Sequence, residues 1–239
     1  MYNVYNSNGE LEKSGFPSYE GAATFCISRG RYGDWQIKSS SYGKRDFYRR
    51  IGLKKTSLKM VKSVICSILE KYQITSQEFF HLEEIGGHKQ YHLEGNALEH
   101  TMLVYYAACD MFPSNWEMQR VALLHDIGKI YTSIKKDEDD WEYPDHSTCG
   151  ALKGILCKFI PLDDPHFVDY QWLIRNHIKP LFWRKTGTNL DTNPWEKDKL
   201  DPKLANIDNL RRLAICDLRG SLSVNGNEEL IAYLSNLTL

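Results

Sequence analysis

The side chains with most chemistry to offer are His100, His125, Asp126, His146, His177 and Asp217. His125 and Asp126 are adjacent and close the apolar run Val121-Ala122-Leu123-Leu124, where packing alone would place neither. A neutral imidazole beside an ionised carboxylate supplies one nitrogen and one oxygen ligand for a divalent cation. The dipeptide alone is a weak signal, since chance places it in many chains, and its weight comes from the other four residues. Ile207, Leu210, Ala214 and Asp217 follow spacings of 3, 4 and 3, which puts a carboxylate on an apolar helix stripe. An ionised carboxylate buried there without a partner is costly, so Asp217 needs a metal or a cation. A salt bridge to Arg175 or Arg212 is the alternative to a metal.

The elements that must position these groups are helical. His100, Leu103 or Val104, and Ala107 share one face of a helix predicted over about 96–111, and Pro113-Ser114-Asn115 breaks the chain and caps a helix from Trp116 to His125. Gly128 then lets the backbone turn away. A helix from His146 to Phe159 ends at Pro161, and Phe167, Tyr170, Ile174 and His177 follow spacings of 3, 4 and 3. A lone histidine on such a stripe is ordinarily a hydrogen-bonded core residue. Here several stripes each carry one, so convergence on a shared site is the better reading.

The ordered set resembles the HD-domain metal-dependent phosphohydrolases. It is similar in particular to the HD domain at the C-terminal end of some bacterial tRNA nucleotidyltransferases. There too a leucine-rich His-Asp-Ile-Gly-Lys segment precedes a His-x-x-x-Gly-Ala helix, an Arg-His segment and an Asp-Leu-Arg-Gly helix end. In this chain these are Leu123 to Lys129, His146 to Ala151, Arg175 to His177 and Asp217 to Gly220, and the resemblance covers roughly residues 88–222. It implies a primary metal site of His100, His125, Asp126 and Asp217, with His146 and His177 either holding a second ion or contacting the phosphate and moving protons. The implied cofactor is a divalent metal, one ion or two, from among Mn, Ni, Co, Mg, Fe and Zn. Asp126, Lys129, His146, Arg175 and His177 are the catalytic candidates. Lys129 and Arg175 would meet phosphate charge, and Asp126 would bridge two ions or orient the attacking water.

The implied activity is hydrolysis of phosphate esters of nucleotides or nucleic-acid ends, whether phosphomonoesters, 2′,3′-cyclic phosphates or cyclic-nucleotide phosphodiesters. An HD-type hydrolase of deoxynucleoside triphosphates or dinucleotides is an alternative, as are a di-iron HD oxygenase and a non-catalytic RNA-binding module. No Walker loop, GxGxxG fingerprint or nucleophile elbow is visible, which removes support for ATP-driven phosphoryl transfer and covalent catalysis. This chain also departs from the nucleotidyltransferases in lacking a nucleotidyltransferase segment.

Composition bounds the rest. At 239 residues with a formal net charge of −1, the chain as a whole is not an electrostatic nucleic-acid binder, so RNA contact would need a local patch. Lys44, Arg45, Arg49, Arg50, Lys54, Lys55, Lys59 and Lys62 form such a patch within 44–62, or merely a solvated face. No apolar run nears the ~20 residues that span a bilayer, and no signal peptide is evident. The six cysteines lack a CxxC pair and read as reduced, buried thiols of a cytoplasmic protein. We expect a mainly α fold, an HD-domain helical bundle with a small N-terminal ββαβ appendage. The expected divisions are 1–40 for the appendage, 41–87 for a basic linker and leading helices, and 88–239 for the HD-domain core. The acidic run Asp137-Glu138-Asp139-Asp140 is expected in a solvated loop between 131 and 145. Phe182-Trp183-Arg184-Lys185, in a long irregular segment, offers either a stacking surface for a nucleotide or a packed aromatic corner. Oligomeric state is not legible.

Overall fold

The computed structural model describes residues 2–5, 11–16, 36–39, 58–75, 77–87, 96–137, 140–182, 206–221 and 227–236. Most of these residues are helical. Three short strands, β1 (Tyr2–Tyr5), β2 (Leu11–Phe16) and β3 (Gln36–Ser39), form an antiparallel sheet in the order β2-β1-β3. They match the strands expected of the appendage; its expected helix lies outside the described residues, as do Trp183, Arg184, Lys185 and the basic residues 44–57. Of the side chains in that basic stretch, Lys62 is described, and it pairs with Glu83 at 2.8 Å.

The helical part begins with α1 (Leu58–Lys71), followed by a 3-10 turn over Phe79–Glu84. Next come α2 (Ala97–Met111) and α3 (Trp116–Leu124). Both open on an asparagine whose side chain accepts from the backbone N–H three residues on, Asn96 from Glu99 at 2.9 Å and Asn115 from Met118 at 2.9 Å. These bonds satisfy amide groups that a helix start leaves without intrahelical partners. Helix α2 is buried on nearly all sides, from Ala97 through Ala108. It packs on α3 and on the long α8 (Asn206–Gly220), so the helices of His100, His125 and Asp217 lie against one another.

Between α3 and α8 run α4 (Lys129–Thr132), α5 (His146–Gly150), α6 (Lys153–Leu156) and α7 (Phe167–Asn176). The helix α9 (Glu228–Asn236) packs on α8. Arg120, with no exposed surface, ties α3 to the turn before α7 through an ion pair with Asp164, and its guanidinium lies 5.2 Å from the Trp116 ring and 5.4 Å from the Tyr170 ring. Among the described residues no helix is long and apolar enough to cross a membrane.

Three local expectations change. The segment expected as a loop contains a hairpin, β4 (Ile134–Asp137) paired with β5 (Asp140–Glu142). All four β4 residues are exposed, so no alternation of apolar and polar side chains marks the strand in the sequence. The helix expected from His146 to Phe159 is two short helices, because Leu152 is extended at φ −62°, ψ 133°. Gly128 does not turn the chain aside, since its backbone is helical at φ −63°, ψ −24°. It is a glycine because α5 comes so close: a Cβ there would lie 1.9 Å from the His146 carbonyl oxygen and 2.6 Å from the Gly150 nitrogen.

That contact yields a prediction about stability. Gly128→Ala should destabilise the fold by about 2 kcal/mol or more, because backbone and not a flexible side chain must move. Gly154→Ala, which meets nothing within 4 Å, should be neutral or stabilising by up to about 1 kcal/mol. Urea unfolding of both variants checks the contrast, and equal effects would contradict it.

Candidate metal centre

Six side chains converge from five helices or helix ends. His100 projects from α2 and Asp217 from α8, His125 and Asp126 follow the end of α3, His177 follows the end of α7, and His146 opens α5. Asp126 is the shared member. Its Oδ2 lies 3.4 Å from His100 Nε2 and 3.3 Å from His125 Nε2, and its Oδ1 lies 3.3 Å from His146 Nε2 and 3.6 Å from His177 Nε2. Asp217 joins the first side, with Oδ1 3.2 Å from His100 Nε2. The arrangement comprises two groups able to hold a metal ion, His100–His125–Asp126 and Asp126–His146–His177.

Helix ends explain how the rings are aimed. The last carbonyls of a helix have no intrahelical partner. Two of them accept from the imidazole that follows: Ala122 O from His125 Nδ1 at 2.8 Å, and Ile174 O from His177 Nδ1 at 2.7 Å. His146 Nδ1 is likewise 2.9 Å from the carbonyl of Tyr143. A neutral imidazole that donates through Nδ1 presents a bare lone pair at Nε2, and in all three rings that atom points at Asp126. Such a carbonyl partner is how proteins orient metal-ligating histidines.

The donor set fits a cation. His125 Nε2 and His100 Nε2 are 3.3 Å apart, so nitrogens able to bind a metal crowd together next to a carboxylate oxygen. Asp126 Oδ2 is buried and makes no hydrogen bond of acceptable geometry, although Lys129 Nζ stands 2.6 Å away as an ion-pair partner. One ammonium set against the two carboxylates leaves a formal charge of −1 with neutral imidazoles. Nitrogen and carboxylate ligands of this kind suit Zn, Mn, Fe, Co or Ni.

The salt-bridge alternative for Asp217 is not what the fold builds. Arg212 pairs with Asp208, at 2.5 Å, and Arg175 is exposed with no ion pair or hydrogen bond among the described residues. Arg175 is therefore not brought into the cluster, whereas Lys129 is almost fully buried within it. Cys216, next to Asp217, is buried, and burial pushes its thiol up to about 12, so it offers almost no thiolate nucleophile. Of the other described cysteines, none in a disulfide, Cys66, Cys109 and Cys149 are half-buried and Cys157 is exposed, more open than their apolar sequence surroundings suggest.

The sequence reading missed Tyr143, which combines the carbonyl on His146 with a ring whose centroid is 4.3 Å from Lys129 Nζ. Its one available signal was an aromatic residue three positions before a ligand histidine. Comparison of the chain with protein-family models, curated proteins and solved structures gave no match.

The two carboxylates predict an acid response. Burial would raise Asp217, but the hydrogen bond and charge of His100 outweigh it and hold the carboxyl well below its usual range. Burial would raise Asp126 too, and His125 and Lys129 reverse that. Such depressed groups contribute stability that is present above the unfolded value of about 4 and lost as pH falls through the folded value. Metal-free protein should therefore lose stability as the pH drops below about 4, and Asp217→Asn should flatten that slope. Unfolding midpoints against pH check this, and parallel curves for the two proteins would contradict it.

Proposed function

We propose that the chain is an HD-type metal-dependent phosphohydrolase acting on phosphate esters of nucleotides or nucleic-acid ends. The observation that carries the reading is the buried Asp126, each of whose oxygens faces two imidazole nitrogens. The order of the contributing residues along the chain, His100, His125-Asp126, His146, His177 and Asp217, supports it as well.

His100, His125, Asp126 and Asp217 would hold one divalent ion, and Asp126, His146 and His177 a second. An ion so held would supply a water that is nucleophilic near neutral pH and would polarise a phosphoryl oxygen. The chain's own groups do the rest. The His146 side chain is 14% exposed, against 2% for His100 and His177, so substrate approaches on the His146 side. Lys129 is the cation nearest the carboxylate that the ions share, and it offsets phosphate charge. His146 and His177 are placed to carry a proton to the leaving oxygen if the ion on their side is absent. Packing by Leu123, Leu124, Ile127 and Ala214, none with exposed surface, excludes bulk water from the inner side and strengthens every charge interaction there.

Stripping the protein of metal should abolish phosphate release, and resupply of Mn²⁺, Ni²⁺, Co²⁺, Mg²⁺, Fe²⁺ or Zn²⁺ should restore it on at least one of a panel of 2′,3′-cyclic, 2′-, 3′- and 5′-mononucleotides, deoxynucleoside triphosphates and cyclic dinucleotides. His125→Ala should lower that rate by at least about a hundredfold, the upper end of the loss seen even for partners behind the ligands. A rate unchanged in His125→Ala overturns the proposal.

A further inference from the structure

The ligands of the cluster are not held in equivalent ways. His100 and Asp217 stand within long helices, and His125 and His177 are bound by carbonyls of the helix each one ends. His146 is the exception. Its Nδ1 partner is the carbonyl of Tyr143, in the short irregular link between β5 and α5. The link includes Asp145 in a left-handed conformation at φ 49°, ψ 22°, which is costly for a side-chain-bearing residue and needs the surroundings to enforce it.

Tyr143 is what ties this link down. Its hydroxyl donates to the carbonyl of Gly86, and its ring sits 4.3 Å from Lys129 Nζ and 6.2 Å from the His146 ring at an interplanar angle of 82°. Gly86 is in turn bridged, antiparallel, to Asn96, the residue that caps the His100 helix. One side chain thus connects the start of α2, the buried lysine and the carbonyl that aims His146.

We infer that Tyr143 is a positioning residue for the second cation, setting the affinity of the Asp126–His146–His177 side more than that of the His100–His125–Asp217 side. The inference rests on the reading of the cluster as a metal centre. A residue that merely stabilised the fold would weaken both ions together or neither. Tyr143 acts mainly on one.

The test is calorimetric titration of metal-stripped protein with Mn²⁺, comparing wild type, Tyr143→Ala and Tyr143→Phe. Wild type should bind two ions. Tyr143→Ala should weaken the second by about ten- to a hundredfold, the usual loss when the partner of a ligand is disturbed, and the first by far less. Tyr143→Phe keeps the ring over Lys129 but not the bond to Gly86, so it should bind the second ion more tightly than Tyr143→Ala and less tightly than wild type. Equal loss of both ions, or no loss of either, overturns the inference. If Tyr143→Ala does not fold, Tyr143→Phe decides by the same criterion. A wild type that binds one ion overturns the inference and leaves the metal reading standing, whereas a wild type that binds none overturns both.

Discussion

The rest of the structure is arranged around the burial of Asp126. A carboxylate with 1% of its surface exposed has lost its hydration, and that loss amounts to several kcal/mol unless protein charges and dipoles replace the water. Lys129 replaces part of it from one side. Four imidazoles surround the remainder, and three have their Nδ1 on backbone carbonyls, which leaves them facing the carboxylate with acceptor atoms. With the imidazoles neutral, acceptors facing an anion do not stabilise it. A cation between them does, and so the arrangement is better understood as a binding site than as a self-contained ion pair.

The backbone geometry serves this centre more than it serves the core. Helices α3 and α7 each stop one residue short of a ligand histidine, so an unsatisfied terminal carbonyl becomes the clamp for a ring. Gly128 lets α5 approach within a distance no side chain would permit, which brings His146 to the open edge of Asp126. Gly220 plays a similar part behind Asp217, where a Cβ would meet the Val104 side chain at 2.5 Å and its nitrogen at 2.7 Å, so α8 can lie close to the His100 helix. Close approach of α2, α3 and α8 is thus a condition for three of the ligand sets to share one point. The Arg120–Asp164 pair holds α3 near α7 without adding any polar group to the cluster itself.

Much of this was legible in the sequence because periodicity reports burial. His100, His177 and Asp217 stood on apolar helical stripes, and all three are buried where those stripes meet. The asparagine cap of α3 was readable for a local reason, a short polar side chain just before an apolar run. What was not legible depends on contacts between distant segments. The resemblance made Arg175 a catalytic candidate, yet it lies two positions before His177, and residues two apart on a helix do not share a face, so it points into solvent. The hairpin over 134–142 carries polar residues on its exposed strand and leaves no alternation to read. Backbone carbonyls have no sequence signature at all, so the clamps on His125, His146 and His177, and with them the role of Tyr143, emerge only in three dimensions.

The central claim is that Asp126 is shared between two cations. The most direct measurement is anomalous diffraction at the manganese edge from crystals grown with Mn²⁺. The account predicts two peaks about 3.5–4 Å apart, the spacing of paired catalytic ions, one reached by His100, His125 and Asp217 and the other by His146 and His177, with Asp126 between them. A single peak, or no peak within coordination distance of Asp126, would contradict it.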